Sequence, residues 1–168
     1  FEKKFAQFAK TADAVSCSSG TTALHLAIAA ANLMPGDEVI VPSFTWVASV
    51  NAILYQGAIP VLCDIDLDTY ALCPKSVQQC ITERTKAIMP IHLFGCAAPM
   101  DAIMTIARTH ELTVIEDAAC ALGTWIEGTH AGCIGDFGTF SFHPRKVITT
   151  GEGGMVTTGT ERNLDEIK

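Results

Sequence analysis

Apolar and polar positions along this chain follow two alternating periods. In "AVSCSSGTTALHLAIAAANLMPGDEVIVPS" a short apolar stretch meets a Ser/Gly/Thr turn. Leu24, Ala27, Ile28 and Ala31 then recur at helical spacing, and a Pro-Gly stop precedes a second apolar run. That pattern predicts strand, turn, helix and strand. It repeats: Val47, Val50 and Leu54 mark a helix, "AIPVLCDID" a strand, Val77, Cys80 and Ile81 a short helix, and "TKAIMPIH" a strand. Met100, Ile103, Met104 and Ala107 mark a further helix, followed by the strand "LTVIED". Past Asp117, "GTWIEGTHAGCIGDFGTFSF" reads as hairpins and strands, "GMVTT" as a last strand, and the residues up to Lys168 as the start of a helix.

Strands and helices alternating through short connections predict an α/β fold with a mainly parallel sheet covered by helices on both faces. No repeat or linker interrupts the pattern, so residues 1–168 are read as one domain. A start at Phe1 and an end inside a young helix mark it as a piece of a longer protein.

Composition narrows the function classes. Eighteen acidic against eleven basic residues give a net charge of −7, and no Lys/Arg cluster offers a track for nucleic acid. No apolar run reaches the ~18 residues of a membrane span and no charged-then-apolar leader is visible, so no membrane partner and a cytoplasmic address are expected. The seven cysteines, at positions 17, 63, 73, 80, 96, 120 and 133, contain no C-x-x-C pair. They read as reduced, mostly buried thiols. The five histidines show no H-E-x-x-H or similar spacing, so no metal is expected. A Walker loop, G-x-G-x-x-G and G-x-S-x-G are all missing from the sequence.

In open α/β sheets ligands sit beyond the carboxyl ends of the strands, so the polar residues there carry the candidate chemistry. Ser18, Ser19, Gly20, Thr21 and Thr22 lie between a strand and a helix start. Free N–H groups and the helix dipole there suit a phosphate, and capping alone is the plainer use. Asp117 ends a strand, and Glu116 must face the other side of the sheet. A carboxylate at that end can pair with a protonated ring nitrogen, hold a metal or cap a loop. Trp46 lies between a strand and a helix, where an indole can stack on a flat ring or fill core. Lys146, in "FSFHPRKVITTGEGG", stands between a strand stopped by Pro144 and a Gly-rich loop. It is either a solvated turn lysine or an amine held at the mouth of the sheet. One cofactor uses a phosphate cradle, a stacking surface, an acid and an amine together: pyridoxal 5′-phosphate.

"SSGTTALHLAIAA", "GDEVIVPSFTWVASVNAILYQGAIPVLCDID", "KAIMPIHLFG", "VIEDAACALGTWIEG" and "FSFHPRKVITTGEGGM" resemble, in order and spacing, the DegT/DnrJ/EryC1/StrS family of sugar aminotransferases. The resemblance covers nearly the whole chain. It implies the fold-type I architecture of the aspartate aminotransferase superfamily, with this chain as the large cofactor-binding domain and the C-terminal small domain absent.

By motif position the resemblance implies Lys146 as the lysine that forms a Schiff base with pyridoxal 5′-phosphate, with the glycines after it leaving room for cofactor and substrate. Thr21, Thr22 through its backbone, and Ser141 are implied as phosphate ligands beside Gly20. Asp117 is implied as the acid at the ring nitrogen, and Trp46 as the stacked aromatic. Cys120 departs from the pattern, standing where the family usually has His or Gln. A thiol is a weak hydrogen-bond partner, so the contact around the ring is expected to weaken. The implied reaction moves an amino group from an amino-acid donor, usually glutamate, to a keto group of a nucleotide-linked sugar. The implied assembly is a homodimer whose partner completes the site. A dehydratase branch carries histidine in place of the lysine, and Lys146 speaks against it. A non-catalytic binding module of the same fold is the remaining alternative, distinguished by an unchanged cofactor spectrum.

Overall fold

Strand periodicity explains how the chain layers. The computed structural model describes residues 1–159 and Ile167; the helix expected toward Lys168 lies outside the described residues apart from Ile167. The chain opens with α1 (Glu2–Ala9), β1 (Asp13–Cys17), α2 (Gly20–Ala30) and β2 (Glu38–Pro42). It continues through α3 (Val47–Tyr55), β3 (Ile59–Cys63), α4 (Pro74–Cys80), β4 (Thr85–Ile88) and a 3-10 turn at Leu93–Gly95. Next come α5 (Met100–Thr109), β5 (Thr113–Asp117) and the hairpin of β6 (Trp125–Ile126) with β7 (Thr129–His130). β8 (Phe137–Ser141) and β9 (Gly154–Thr158) follow.

Among the described residues seven strands form one sheet in the order β1-β9-β8-β5-β4-β2-β3. β3, β2, β4, β5 and β8 pair in parallel, each reached by a crossover. β9 alone runs against both its neighbours, because the loop after β8 turns straight back without a helix. The mainly parallel α/β arrangement expected from the sequence is the one adopted.

Alternate residues of each strand enter opposite cores. Val39, Val41, Ala87, Ile115 and Phe137 join Leu24, Ala27 and Ile28 of α2 and Ala52 and Ile53 of α3. Ile40, Ile88 and Val114 face the other way, onto Val77 of α4 and Met100, Ile103 and Ile106 of α5. On that same side Phe5 of α1 meets Phe140 edge-on at 5.0 Å between ring centroids. The apolar pattern above does not predict α1.

The helix marked by Val47, Val50 and Leu54 is α3, in which Val47 and Leu54 are exposed and Ser49, Ala52 and Ile53 are inside. One expectation needs correcting. The seven cysteines are all free, yet only Cys63 is buried, while Cys96 and Cys120 are exposed. Most of them stand at element ends and turns, where burial is partial. Among the described residues no helix is long and apolar enough to cross a membrane.

Candidate active site

The N-terminus of α2 sits hard against the end of the sheet. Ser19 is extended (φ −163, ψ 167) and caps the helix: its Oγ accepts from the Thr22 N–H at 3.1 Å, while Thr22 Oγ1 accepts from the Ser19 N–H at 2.9 Å. A Cβ at Gly20 would fall 2.7 Å from Ser141 Cβ, and one at Gly154 would fall 2.2 Å from Ser19 O. These two glycines let the helix end approach β8 and β9. The N–H groups of Gly20 and Thr21 have no intrahelical acceptor, and both residues line the cavity described below. Thr22 does not line it. The resemblance implies its backbone as a phosphate ligand; here that N–H donates to Ser19 Oγ within the capping box. The space beside Gly154 admits the α2 terminus.

β5 places two carboxylates on opposite faces. Asp117 is only 5% exposed; its Oδ2 accepts from Ser49 Oγ at 2.8 Å, and its Oδ1 from the Ala119 N–H at 3.0 Å. Thr45 Oγ1 lies 3.1 Å from Ser49 Oγ and extends the chain of hydroxyls. Glu116 is fully buried behind the sheet. Its Oε1 accepts from the N–H groups of Ile134 and Gly135 at 2.7 Å each, and its Oε2 from the Gly132 N–H at 2.9 Å. His92 Nδ1 accepts from the Ala98 N–H at 3.0 Å, so Nε2 carries the ring proton and donates it to Glu116 Oε2 at 2.9 Å. Four donors saturate Glu116. Asp117 is the one that faces the cavity.

Lys146 owes its position to a tight turn. Pro144 fixes the backbone as the second residue of the turn His143–Lys146, which closes when the Lys146 N–H donates to His143 O at 2.9 Å. The loop beyond it is pinned at its base: the Phe142 N–H donates to Gly153 O at 2.9 Å and the Thr150 N–H to Phe142 O at 3.1 Å. The Lys146 amine reaches back across the cavity mouth to Cys120, with Nζ 3.0 Å from Sγ.

A cavity of about 320 Å³ joins these parts. It brings together Gly20, Thr21, Trp46, Asp117, Cys120, Ser141 and Lys146, with Ser19 beside them, while Ser18 and Thr22 of the same turn do not line it. Trp46 caps α3 at 72% exposure, so it stands at the cavity and takes no part in the core. Sequence reasoning missed Ser49 and His92. For Ser49 the available signal was a hydroxyl amid the apolar positions of a helix; for His92 it was an imidazole closing an apolar strand. Among the described residues no three His, Cys, Asp or Glu side chains gather as a metal site.

The family model of the DegT/DnrJ/EryC1/StrS aminotransferase family matches residues 1–168. GDP-perosamine synthase of Caulobacter vibrioides is 53% identical over 161 residues, 96% of this chain and 43% of that protein. The X-ray structure of the aminotransferase from Psychrobacter cryohalolentis superimposes with a TM-score of 0.97 at 41% identity, covering 99% of this chain and 42% of that one. NtdA from Bacillus subtilis, solved with bound cofactor PMP, superimposes with a TM-score of 0.93 at 35% identity, covering 99% of this chain and 38% of that one. The chain thus spans less than half the length of the curated relatives it matches. Matched along all of its length, the chain belongs to the DegT/DnrJ/EryC1/StrS aminotransferase family.

Proposed function

We propose that this chain is the large, cofactor-holding domain of a pyridoxal-phosphate-dependent aminotransferase, which moves an amino group from glutamate to a keto group of a nucleotide-linked sugar. The observation that carries the reading is one cavity holding the Lys146 amine, the Asp117 carboxylate and the α2 N-terminus. The residues fit the group. Gly20 and Thr21 offer helix N-terminal N–H donors beside Ser141, close enough together that a single Cβ at Gly20 would collide with Ser141. Asp117 offers a carboxylate already oriented by Ser49 and the Ala119 N–H, and Lys146 offers the amine.

Pyridoxal phosphate, when bound, supplies a ring that takes up the electron pair freed as a proton leaves the carbon bearing the amine. The α2 terminus and Ser141 would hold the phosphate. With the cofactor bound, Asp117 would pair with the protonated ring nitrogen, Trp46 would cover a ring face, and Lys146 Nζ would accept and return the migrating proton as general base. Cys120, in place of a stronger hydrogen-bonding side chain, stands beside Nζ. Lys146 favours amino transfer over dehydration, the reaction of the branch with histidine at this position.

The assembly proposed is a homodimer. Phe94, Trp46 and Val147 are 76%, 72% and 75% exposed, an apolar display suited to a subunit boundary. Titrating the whole protein with pyridoxal phosphate tests the function. A visible band of the lysine-bound cofactor is expected in wild type and lost in Lys146→Ala; glutamate and a nucleotide-linked keto sugar should then give an amino sugar. Identical spectra for wild type and Lys146→Ala contradict the reading.

A further inference from the structure

We propose that Cys120 and Lys146 form a peroxide-sensitive pair, in which oxidation of the thiol cross-links Sγ to Nζ and withdraws the amine from the cavity. The proposal stands on the placement of two side chains of this chain and requires no bound cofactor. Sγ and Nζ are 3.0 Å apart, so bonding them calls for only a small approach. The contact is built by the sheet. Cys120 sits in the turn that follows β5, closed by the Ala121 N–H donating to Ala118 O at 2.9 Å. Lys146 sits in the turn that follows β8. β5 and β8 are parallel neighbours, with Asp117 beside Thr139, so both turns emerge at one end of the sheet. Cys120 is exposed and lines the cavity, where a small hydroperoxide can reach it.

The chemistry closes with a hydroperoxide as the oxidant. Cys120 Sγ attacks one peroxide oxygen, giving a sulfenic acid; the peroxide bond breaks and the other oxygen leaves as water or alcohol. The Nζ lone pair then attacks the sulfur, an S–N bond forms, the S–O bond breaks, and hydroxide leaves with an amine proton as a second water. Sulfur gives up two electrons and the peroxide takes up two. Two equivalents of an external thiol reverse the step: they restore Cys120 and the free amine and are themselves joined as a disulfide.

The test exposes the whole protein to hydrogen peroxide, with and without pyridoxal phosphate, and maps peptides under non-reducing conditions. The expected product joins the peptides carrying Cys120 and Lys146, at a mass two hydrogens below their sum, and dithiothreitol separates them. Cys120→Ser and Lys146→Arg should each abolish the link, and in Lys146→Arg the sulfenic acid should be captured by dimedone. Recovery of wild-type Cys120 only as free thiol, sulfinic acid or a cysteine disulfide overturns the proposal. Pyridoxal phosphate should suppress the link by occupying Nζ. Equal link yield with and without it supports the cross-link while counting against Lys146 as the cofactor amine, so the two readings fail separately.

Discussion

Glu116 and Asp117 are adjacent in β5, yet Glu116 is saturated by four donors behind the sheet while Asp117 faces the cavity on two. Glu116 ties the segments 92–98 and 132–135 to the strand that carries Asp117. Glu116→Gln replaces one acceptor oxygen with an N–H₂ group aimed at existing donors. The expected loss of stability is about 3 kcal/mol, read by urea denaturation at neutral pH. A loss below about 1 kcal/mol would show that the network bears little of the fold.

Asp117→Asn and Ser49→Ala separate a carboxylate from its support. Asp117→Asn should lower the amino-transfer rate by at least about 100-fold, because a neutral amide no longer stabilises charge at the ring nitrogen. Ser49→Ala removes one of the two hydrogen bonds holding that carboxylate. Its effect on kcat should be smaller than that of Asp117→Asn, with a stability loss of about 1 kcal/mol. Equal rate losses in the two variants would make Ser49 more than a support.

Cys120→Gln restores a side chain that both donates and accepts hydrogen bonds. A neutral hydrogen bond of about 1 kcal/mol corresponds to roughly fivefold tighter binding of pyridoxal phosphate, measured by spectral titration. Weaker binding would mean that the thiol is the better fit for this cavity.

His130 makes stability depend on pH. It is fully buried against the Trp125 and Phe140 rings; Nδ1 lies at Ala131 O, and Nε2 accepts from the Gly123 N–H at 2.8 Å. Burial holds the imidazole below its ordinary value of 6.5, with the Ala131 carbonyl opposing in part. The unfolded chain therefore binds the extra proton first. This contribution is complete above about pH 6.5 and is lost as pH falls toward the lower folded value. The urea midpoint should drop between about pH 7.5 and pH 5.5, and His130→Gln should flatten that drop. An unchanged slope in the variant would assign the pH dependence elsewhere.

What the sequence disclosed, it disclosed through local pattern. Helical spacing at Leu24, Ala27 and Ile28 and the apolar run ending at Asp117 placed the main elements. The preference of α/β sheets for ligands at strand ends then drew attention to Asp117, Lys146 and the α2 terminus. What stayed hidden depends on contacts between distant positions. Ser49 meets Asp117 across 68 residues and His92 meets Glu116 across 24, so neither partner is visible from its own neighbourhood. Val47, Val50 and Leu54 reveal α3 in the sequence, but that Ser49, Ala52 and Ile53 form its buried face shows only in the fold. Thr22 was implied as a ligand by the family resemblance, while capping was the plainer use read from the Ser/Thr turn itself, and the structure shows that capping box.

Borohydride reduction of the whole protein after incubation with pyridoxal phosphate, followed by peptide mass spectrometry, addresses the central claim most directly. A phosphopyridoxyl group on Lys146 and on no other lysine is the predicted result. Its absence, or its recovery only on a different lysine, would contradict the assignment of this cavity as the aminotransferase site.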